Sequence, residues 1–219
     1  MVPMFLKTIV ALGVGGRPVE SSRIVSILWP EADGDAGMRV LDVTLLRLRK
    51  QLGPHGRRAI RMEGGSICVD GSFCWTDVDA LNHLLTEVSA CGGKAPAGSH
   101  LARSFGERLL ALCPSPFVGA ADPPPALLAI DDHLRSRASS ALCQICSWLE
   151  EMGAASAAES LFLRGLEAGV CTEALLAPAV GAMVRRGRMH EARTLLEVYR
   201  QQGTRSEAAE ALLNAQRGR

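Results

Sequence analysis

The sequence predicts a mostly α-helical chain with one small β-hairpin, and three observations carry that prediction. The first is a long amphipathic segment, Asp35 to Leu52, whose leucines at 41, 45, 48 and 52 line one side of a 3.6-period helix. The second is a pair of short apolar runs on either side of Gly64-Gly65, the pattern of two antiparallel strands joined by a tight turn. The third is a self-similarity in the last third of the chain, where glycine, alanine and bulky apolar residues recur in register.

Met4 to Leu12 reads as the first helix. Gly15-Gly16-Arg17-Pro18-Val19 interrupts it, and Glu20-Ser21-Ser22 opens a second, short helix with Ile24, Val25, Ile27 and Leu28 apolar. Trp29-Pro30 ends that helix, because proline lacks an amide donor and drives its predecessor out of the helical region. Asp33 and Asp35 start the third helix and Gly53-Pro54 stops it. Arg39, Val43, Arg47 and Lys50 lie opposite its leucines, with Arg49 at the margin, and only Asp42 interrupts the positive charge. A solvated helix face usually mixes signs, so an ordinary surface helix and a nucleic-acid-binding helix are both open on this segment alone. After the polar turn Gly53 to Arg58, Ala59-Ile60-Arg61-Met62 and Ile67-Cys68-Val69-Asp70 flank Glu63-Gly64-Gly65-Ser66. Helix, helix, basic helix, hairpin is the order of a winged helix-turn-helix, in which the third helix enters the major groove and the hairpin touches the backbone. No strand is predicted before the first helix. The hairpin is therefore expected to lack strand partners, and an isolated two-stranded hairpin is marginal in water.

From Thr76 the character changes, which places a boundary between about Gly71 and Asp77 and divides the chain into domains 1–75 and 76–219. Asp77 and Asp79 lead into Ala80, Leu81, Leu84, Leu85 and Val88, a helix with acidic residues in its first turn. Cys91 to Ser99 reads as a linker, His100 to Leu112 as a helix and the proline-rich Cys113 to Pro125 as a long loop. Further on, Leu149-Glu-Glu-Met-Gly153 matches Met183-Val-Arg-Arg-Gly187. At the same 34-residue offset Ala158 matches Ala192, Leu161 matches Leu195, Phe162 matches Leu196 and Gly169 matches Gly203. That offset is the period of tetratricopeptide repeats, with Gly165 and Val170 departing from their consensus. Helices are predicted near 127–152, 155–168, 172–186, 189–202 and 206–216. Pro178 lies inside the third of these, where it should kink the helix or cost about 3 kcal/mol. Such arrays are quasi-one-dimensional scaffolds that bind proteins on a concave face.

Composition narrows the function classes. The formal net charge is +1, and residues 1–75 carry ten Lys/Arg against seven Asp/Glu while the rest carry fourteen against sixteen. Any nucleic-acid reading is thereby confined to a local basic face. No stretch reaches the roughly 18 apolar residues of a membrane span, and the start of the chain lacks a cleavage site after an apolar core. Seven irregularly spaced cysteines make no disulfide framework, which suits a reducing cytoplasm. Cys143-Gln-Ile-Cys146 has metal or redox spacing but no second Cys/His pair, so two buried apolar cysteines are expected. The five histidines are scattered. Asp131-Asp132 reads as a helix-start pair. Gly13-Val14-Gly15-Gly16 lacks the Lys-Ser/Thr of a phosphate loop. No nucleophile, base and oxyanion hole assemble, so neither an enzyme, a metal site nor a cofactor is expected.

Several of these motifs are similar to those of one group of bacterial regulators. Arg39-Val40-Leu41-Asp42-Val43-Thr44-Leu45-Leu46-Arg47-Leu48-Arg49-Lys50 resembles the recognition helix of OmpR/PhoB-type winged helices. Gly16-Arg17-Pro18-Val19 and Leu28-Trp29-Pro30 are similar to SARP-type regulators, in which the winged helix is followed by a bacterial transcriptional activator domain. Met62-Glu63-Gly64 through Cys74-Trp75-Thr76-Asp77-Val78-Asp79 resembles the junction in large proteobacterial regulators that carry this pair at their C-terminus. Leu112 to Gly119 resembles the Gly-Pro-Phe-Leu turn of the activator domain, with Cys113-Pro114-Ser115 replacing part of it.

The resemblance implies a DNA-binding regulator of transcription. Arg39, Val43, Thr44 and Arg47 would face the groove, and Arg49 and Lys50 would hold phosphates. An arginine can fork onto guanine and a threonine methyl can touch thymine. Its partners would be double-stranded promoter DNA and, through the repeats, a protein such as RNA polymerase or a sensory domain. No membrane partner is implied, and a homodimer stays open. Three departures stand beside the match. OmpR/PhoB-type domains begin with a small sheet, Leu46 occupies a position often polar or basic, and in the hairpin Glu63 replaces arginine while Ile67-Cys68 replaces tyrosine-arginine. A protein-interaction scaffold with a vestigial winged helix is the rival reading, and a C-terminal piece of a larger ATP-dependent regulator is a third.

Overall fold

The structure, a computed structural model, describes residues 2–113, 123–170 and 172–215. Among these the chain is mostly helical, with eleven α-helices and a small three-stranded antiparallel sheet. It forms two compact units. One is built on residues up to His83 with the segment ending at Asp132, the other on Leu84 onward and His133 onward.

The first unit holds α1 (Val2–Leu12), β1 (Val19–Glu20), α2 (Ser21–Leu28), α3 (Gly34–Gln51), a 3-10 turn (Gly53–His55), α4 (Gly56–Ala59), β2 (Ile60–Glu63) and β3 (Ser66–Val69). Its core takes Phe5 and Ile9 from α1, Ile24 and Val25 from α2, Leu41, Leu45 and Leu48 from α3, and Ile60, Ile67 and Val69 from the sheet. Each such side chain contributes about 1.5–3 kcal/mol by leaving water. Leu52, the last leucine of the stripe, packs partly buried against the same core. Gly37 lets α2 and α3 cross closely, since a Cβ there would stand 2.4 Å from Val25 Cγ1.

One expectation is corrected. Val19 and Glu20 are not a plain lead-in to α2 but a strand. It pairs antiparallel with β3 in the register Val19↔Ile67 and Glu20↔Ser66, giving the sheet order β1-β3-β2. The hairpin therefore has a strand partner. Pro18 fixes the chain's entry, Val19 is buried and Glu20 is exposed, which is the alternation of a half-buried strand. Two residues are too few for that period to register in the sequence. No strand precedes α1 among the described residues.

The remaining helices are α5 (Asp77–Ala90), α6 (Ser99–Leu112), α7 (Pro125–Glu151), α8 (Ala155–Glu167), α9 (Thr172–Arg185), α10 (Met189–Gln201) and α11 (Glu207–Ala215). The division between the units falls within α5 and α7. Thr76 caps α5. Its Oγ1 accepts from the Asp79 amide at 3.1 Å, satisfying one donor of the first turn, and donates to the Asp79 carboxylate at 2.7 Å. In the second unit Trp148 is fully buried and donates its indole N–H to Gly93 O at 3.1 Å.

The 34-residue self-similarity is physical. Gly153, Gly169, Gly187 and Gly203 all sit at positive φ. After each one the next amide bonds back to a carbonyl five residues earlier: Ala154 to Leu149, Val170 to Gly165, Arg188 to Met183 and Thr204 to Tyr199. These are four Schellman caps ending α7, α8, α9 and α10. Ala158 and Ala192 are fully buried. Gly165 has a local reason, because a Cβ there would stand 2.6 Å from Leu142 Cδ2 and 3.1 Å from Leu175 Cδ1. Helix α9 continues through Pro178 to Arg185. Glu159 on α8 is almost wholly buried and is paired by both Arg186 and Arg188 from the turn into α10. The Gly-Pro-Phe-Leu-like turn falls largely on residues 114–119, outside the described residues. No described helix is long and apolar enough to cross a membrane.

Candidate nucleic-acid interface

The outward face of α3 is defined by what its inward face buries. Leu41, Thr44, Leu45 and Leu48 fall at i, i+3, i+4 and i+7 and all are buried, so the residues half a turn away point to solvent. Arg39, Val43, Arg47 and Lys50 are exposed there. Arg39 Nε bends back to donate to Asp35 O at 3.2 Å. Among the described residues, no carboxylate lies within 4 Å of Arg39, Arg47 or Lys50.

Two of the six expected site residues stand elsewhere. Thr44 is only 5% exposed, and its hydroxyl donates to Val40 O at 2.7 Å, so neither its methyl nor its oxygen is offered outward. It belongs to the buried four-residue set, which its spacing from Leu41, Leu45 and Leu48 already implies. Arg49 turns toward the sheet and donates from Nε and Nη2 to Ile60 O, at 2.9 and 2.8 Å. Its guanidinium clamps the last turn of α3 to β2 instead of standing free for a phosphate. Partial burial, and then the neighbouring Arg57, lower the Arg49 pKa from its ordinary value.

The middle of the same face is apolar. Val43 is 49% exposed and Leu46 is 61% exposed, between Arg39, Arg47 and Lys50. The hairpin turn is acidic, with the Glu63 side chain largely in solvent and 4.0 Å from Arg61. Gly64 and Gly65 both take positive φ, as a two-residue hairpin loop of this hand requires. The turn is also tied down, since Gly65 O accepts the Ser21 amide at 2.9 Å.

Two further cations stand at the end of α3. Arg57 and Arg58, in what the sequence marks as a polar turn, are exposed on α4. Adjacent arginines between two glycine-bearing turns were the available signal, and local periodicity does not weigh it. In the second unit Cys143 and Cys146 share α7, with Cys146 fully buried. Burial, with Cys143 and Glu150 adding to it, pushes the Cys146 thiol far above its ordinary range. Among the described residues no three His, Cys, Asp or Glu side chains converge as metal ligands would. Compared with known proteins, the chain matches no protein-family model and no curated protein.

Proposed function

We propose that this chain is a DNA-binding regulator of transcription, a winged helix-turn-helix followed by a tetratricopeptide-like activator domain of the SARP and OmpR/PhoB kind. The observation that carries the reading is the outward face of α3, where Arg39, Arg47 and Lys50 stand exposed with no carboxylate within 4 Å among the described residues, while the opposite stripe is buried in the core. The sheet order β1-β3-β2 around a helix-turn-helix supports it. In this reading α3 lies in the major groove, Arg39 and Arg47 fork onto base edges, Val43 makes apolar contact and Lys50 meets a phosphate. The capped helices α7 to α11 offer a surface to a protein partner such as RNA polymerase or a sensory domain, and the chain works in the cytoplasm without a catalytic step.

A second reading has its own support. Val43 and Leu46 put apolar area where a phosphate-lined groove would have to be met, and Glu63 repels a backbone. Both favour a protein-interaction scaffold whose winged part no longer binds DNA. Fluorescence anisotropy with a labelled random 30-base-pair duplex at low salt separates the two. Binding that is weakened by Arg47→Ala supports the regulator. No binding by the wild type supports the scaffold.

A further inference from the structure

We propose that Arg57 and Arg58, at the corner where α4 folds against the end of α3, form a second backbone-phosphate contact in place of the hairpin turn. This rests on the DNA-binding reading and adds to it a site outside the recognition helix.

The corner shares with the outward face of α3 a positive charge that no carboxylate among the described residues neutralises. Arg61, three residues on, lies 3.5 Å from Asp70 and 4.0 Å from Glu63. In the second unit, Arg164, Arg185 and Arg186 are each committed to a glutamate. Among the described residues Arg57, Arg58 and Lys50 have no carboxylate within 4 Å. A cluster of exposed cations left uncompensated raises the local potential, and an anion relieves it.

The corner is also held rigidly. Gly56 lies so close to α3 that a Cβ would stand 2.0 Å from the Arg49 carbonyl oxygen. Ala59 and Ile60, immediately after the arginines, are buried in the core of the first unit. The backbone carrying Arg57 and Arg58 is thus pinned at both ends relative to α3. Arg58 is steadied further, its guanidinium carbon 5.9 Å from the centre of the Phe73 ring, which stacks on His55 at 6.1 Å. A preorganised guanidinium loses less entropy on binding, and its planar fork matches two phosphate oxygens.

The hairpin turn has the opposite properties. It presents Glu63, its nearest arginine is already paired, and its backbone is bonded to the start of α2. A phosphodiester strand running past the C-terminal end of α3 meets the Arg57–Arg58 corner as a cation pair and the hairpin turn as a carboxylate. Contact of this kind reads charge and is indifferent to sequence.

The test is the salt dependence of duplex binding by the full chain, between 20 and 200 mM KCl on a 30-base-pair duplex. Circular dichroism serves as the check on folding. Each phosphate contact contributes about 0.9 to the slope of log K against log salt. The Arg57→Ala/Arg58→Ala double variant is expected to flatten the slope by roughly 2 for two lost contacts. The Arg57→Lys/Arg58→Lys variant, which keeps the charge, is expected to hold most of it, and Glu63→Ala to leave it unflattened. If the wild type binds and the alanine pair keeps the wild-type slope, the corner is not a phosphate contact while the DNA-binding reading stands. A lysine pair as flat as the alanine pair also overturns the assignment. If the wild type binds no duplex at 20 mM salt, this inference falls together with the reading beneath it.

Discussion

Arg49 separates the reading from sequence from the reading from structure, because the two predict different losses when it is removed. The hairpin register pairs Arg61 with Cys68, and the Asp70 amide donates to Ala59 O at 2.8 Å. The bonded pairs of this ladder are therefore 59 with 70 and 61 with 68, and the Ile60 carbonyl between them points away from β3. Arg49 meets it with two N–H groups, at 2.9 and 2.8 Å. Arg49→Ala removes both donors from the carbonyl of a residue whose side chain is wholly buried. An unmet carbonyl in such a place costs about 1–3 kcal/mol. Arg49 is only half-buried and water reaches part of the vacated space, so the expected loss is about 1–2 kcal/mol.

Urea unfolding of the full chain reads this loss through Trp29, whose ring lies 6.4 Å from Phe5 in the first unit. With a slope of about 1–3 kcal/mol/M, the Trp29 transition should fall by roughly 0.5–1 M. Arg49→Lys should recover part of the loss, since an ammonium reaches the carbonyl with one hydrogen bond and not two. The salt dependence of duplex binding should stay at the wild-type slope in both variants. An unchanged urea midpoint together with a slope lower by about 1 would refute the clamp and restore Arg49 as a phosphate contact.

Other consequences follow from the packing. Ala158 and Ala192 occupy matching, fully buried positions of the 34-residue repeat, so leucine at either should overpack its helix contact by about 1–3 kcal/mol; thermal melts that leave both variants unchanged would sink the repeat reading. Gly56 has ordinary helical angles, φ −56 and ψ −35, so Gly56→Ala is a test of space alone. With its new Cβ against a backbone oxygen, it should destabilise the first unit by about 3 kcal/mol or more, measured as the urea midpoint of Trp29. Cys146 should stay unlabelled by iodoacetamide in the native protein at pH 8 and react only on unfolding, because its raised pKa leaves almost no thiolate and its sulfur is buried. Mass spectrometry of the native labelled chain checks this, and rapid modification of Cys146 would contradict its place in the core.

The sequence by itself determined where nearly every helix lies, because helices are written in local terms. The leucine stripe at 41, 45 and 48 set the inward face of α3 and thereby the exposure of Arg39, Val43, Arg47 and Lys50. Glycine at positive φ with a buried alanine five residues on marked the α7–α8 and α9–α10 junctions, since a left-handed cap and a close helix contact each admit few residues. Thr44 was legible too, as the fourth member of the buried spacing, though a family motif placed it outward. Only the tertiary structure decided the rest. Whether Val19-Glu20 is loop or strand depends on β3, 48 residues away in the register Val19↔Ile67. Whether Arg49 serves a ligand or the fold depends on a carbonyl eleven residues along the chain and pointing back at it. Glu159 carries a buried charge because Arg186 and Arg188 converge on it from another helix junction. Arg57 and Arg58 stand out only once their chain neighbours Arg49 and Arg61 are seen to be engaged within the fold. A charge's role is set by which opposite charge folding brings within about 4 Å, and no local pattern encodes that distance.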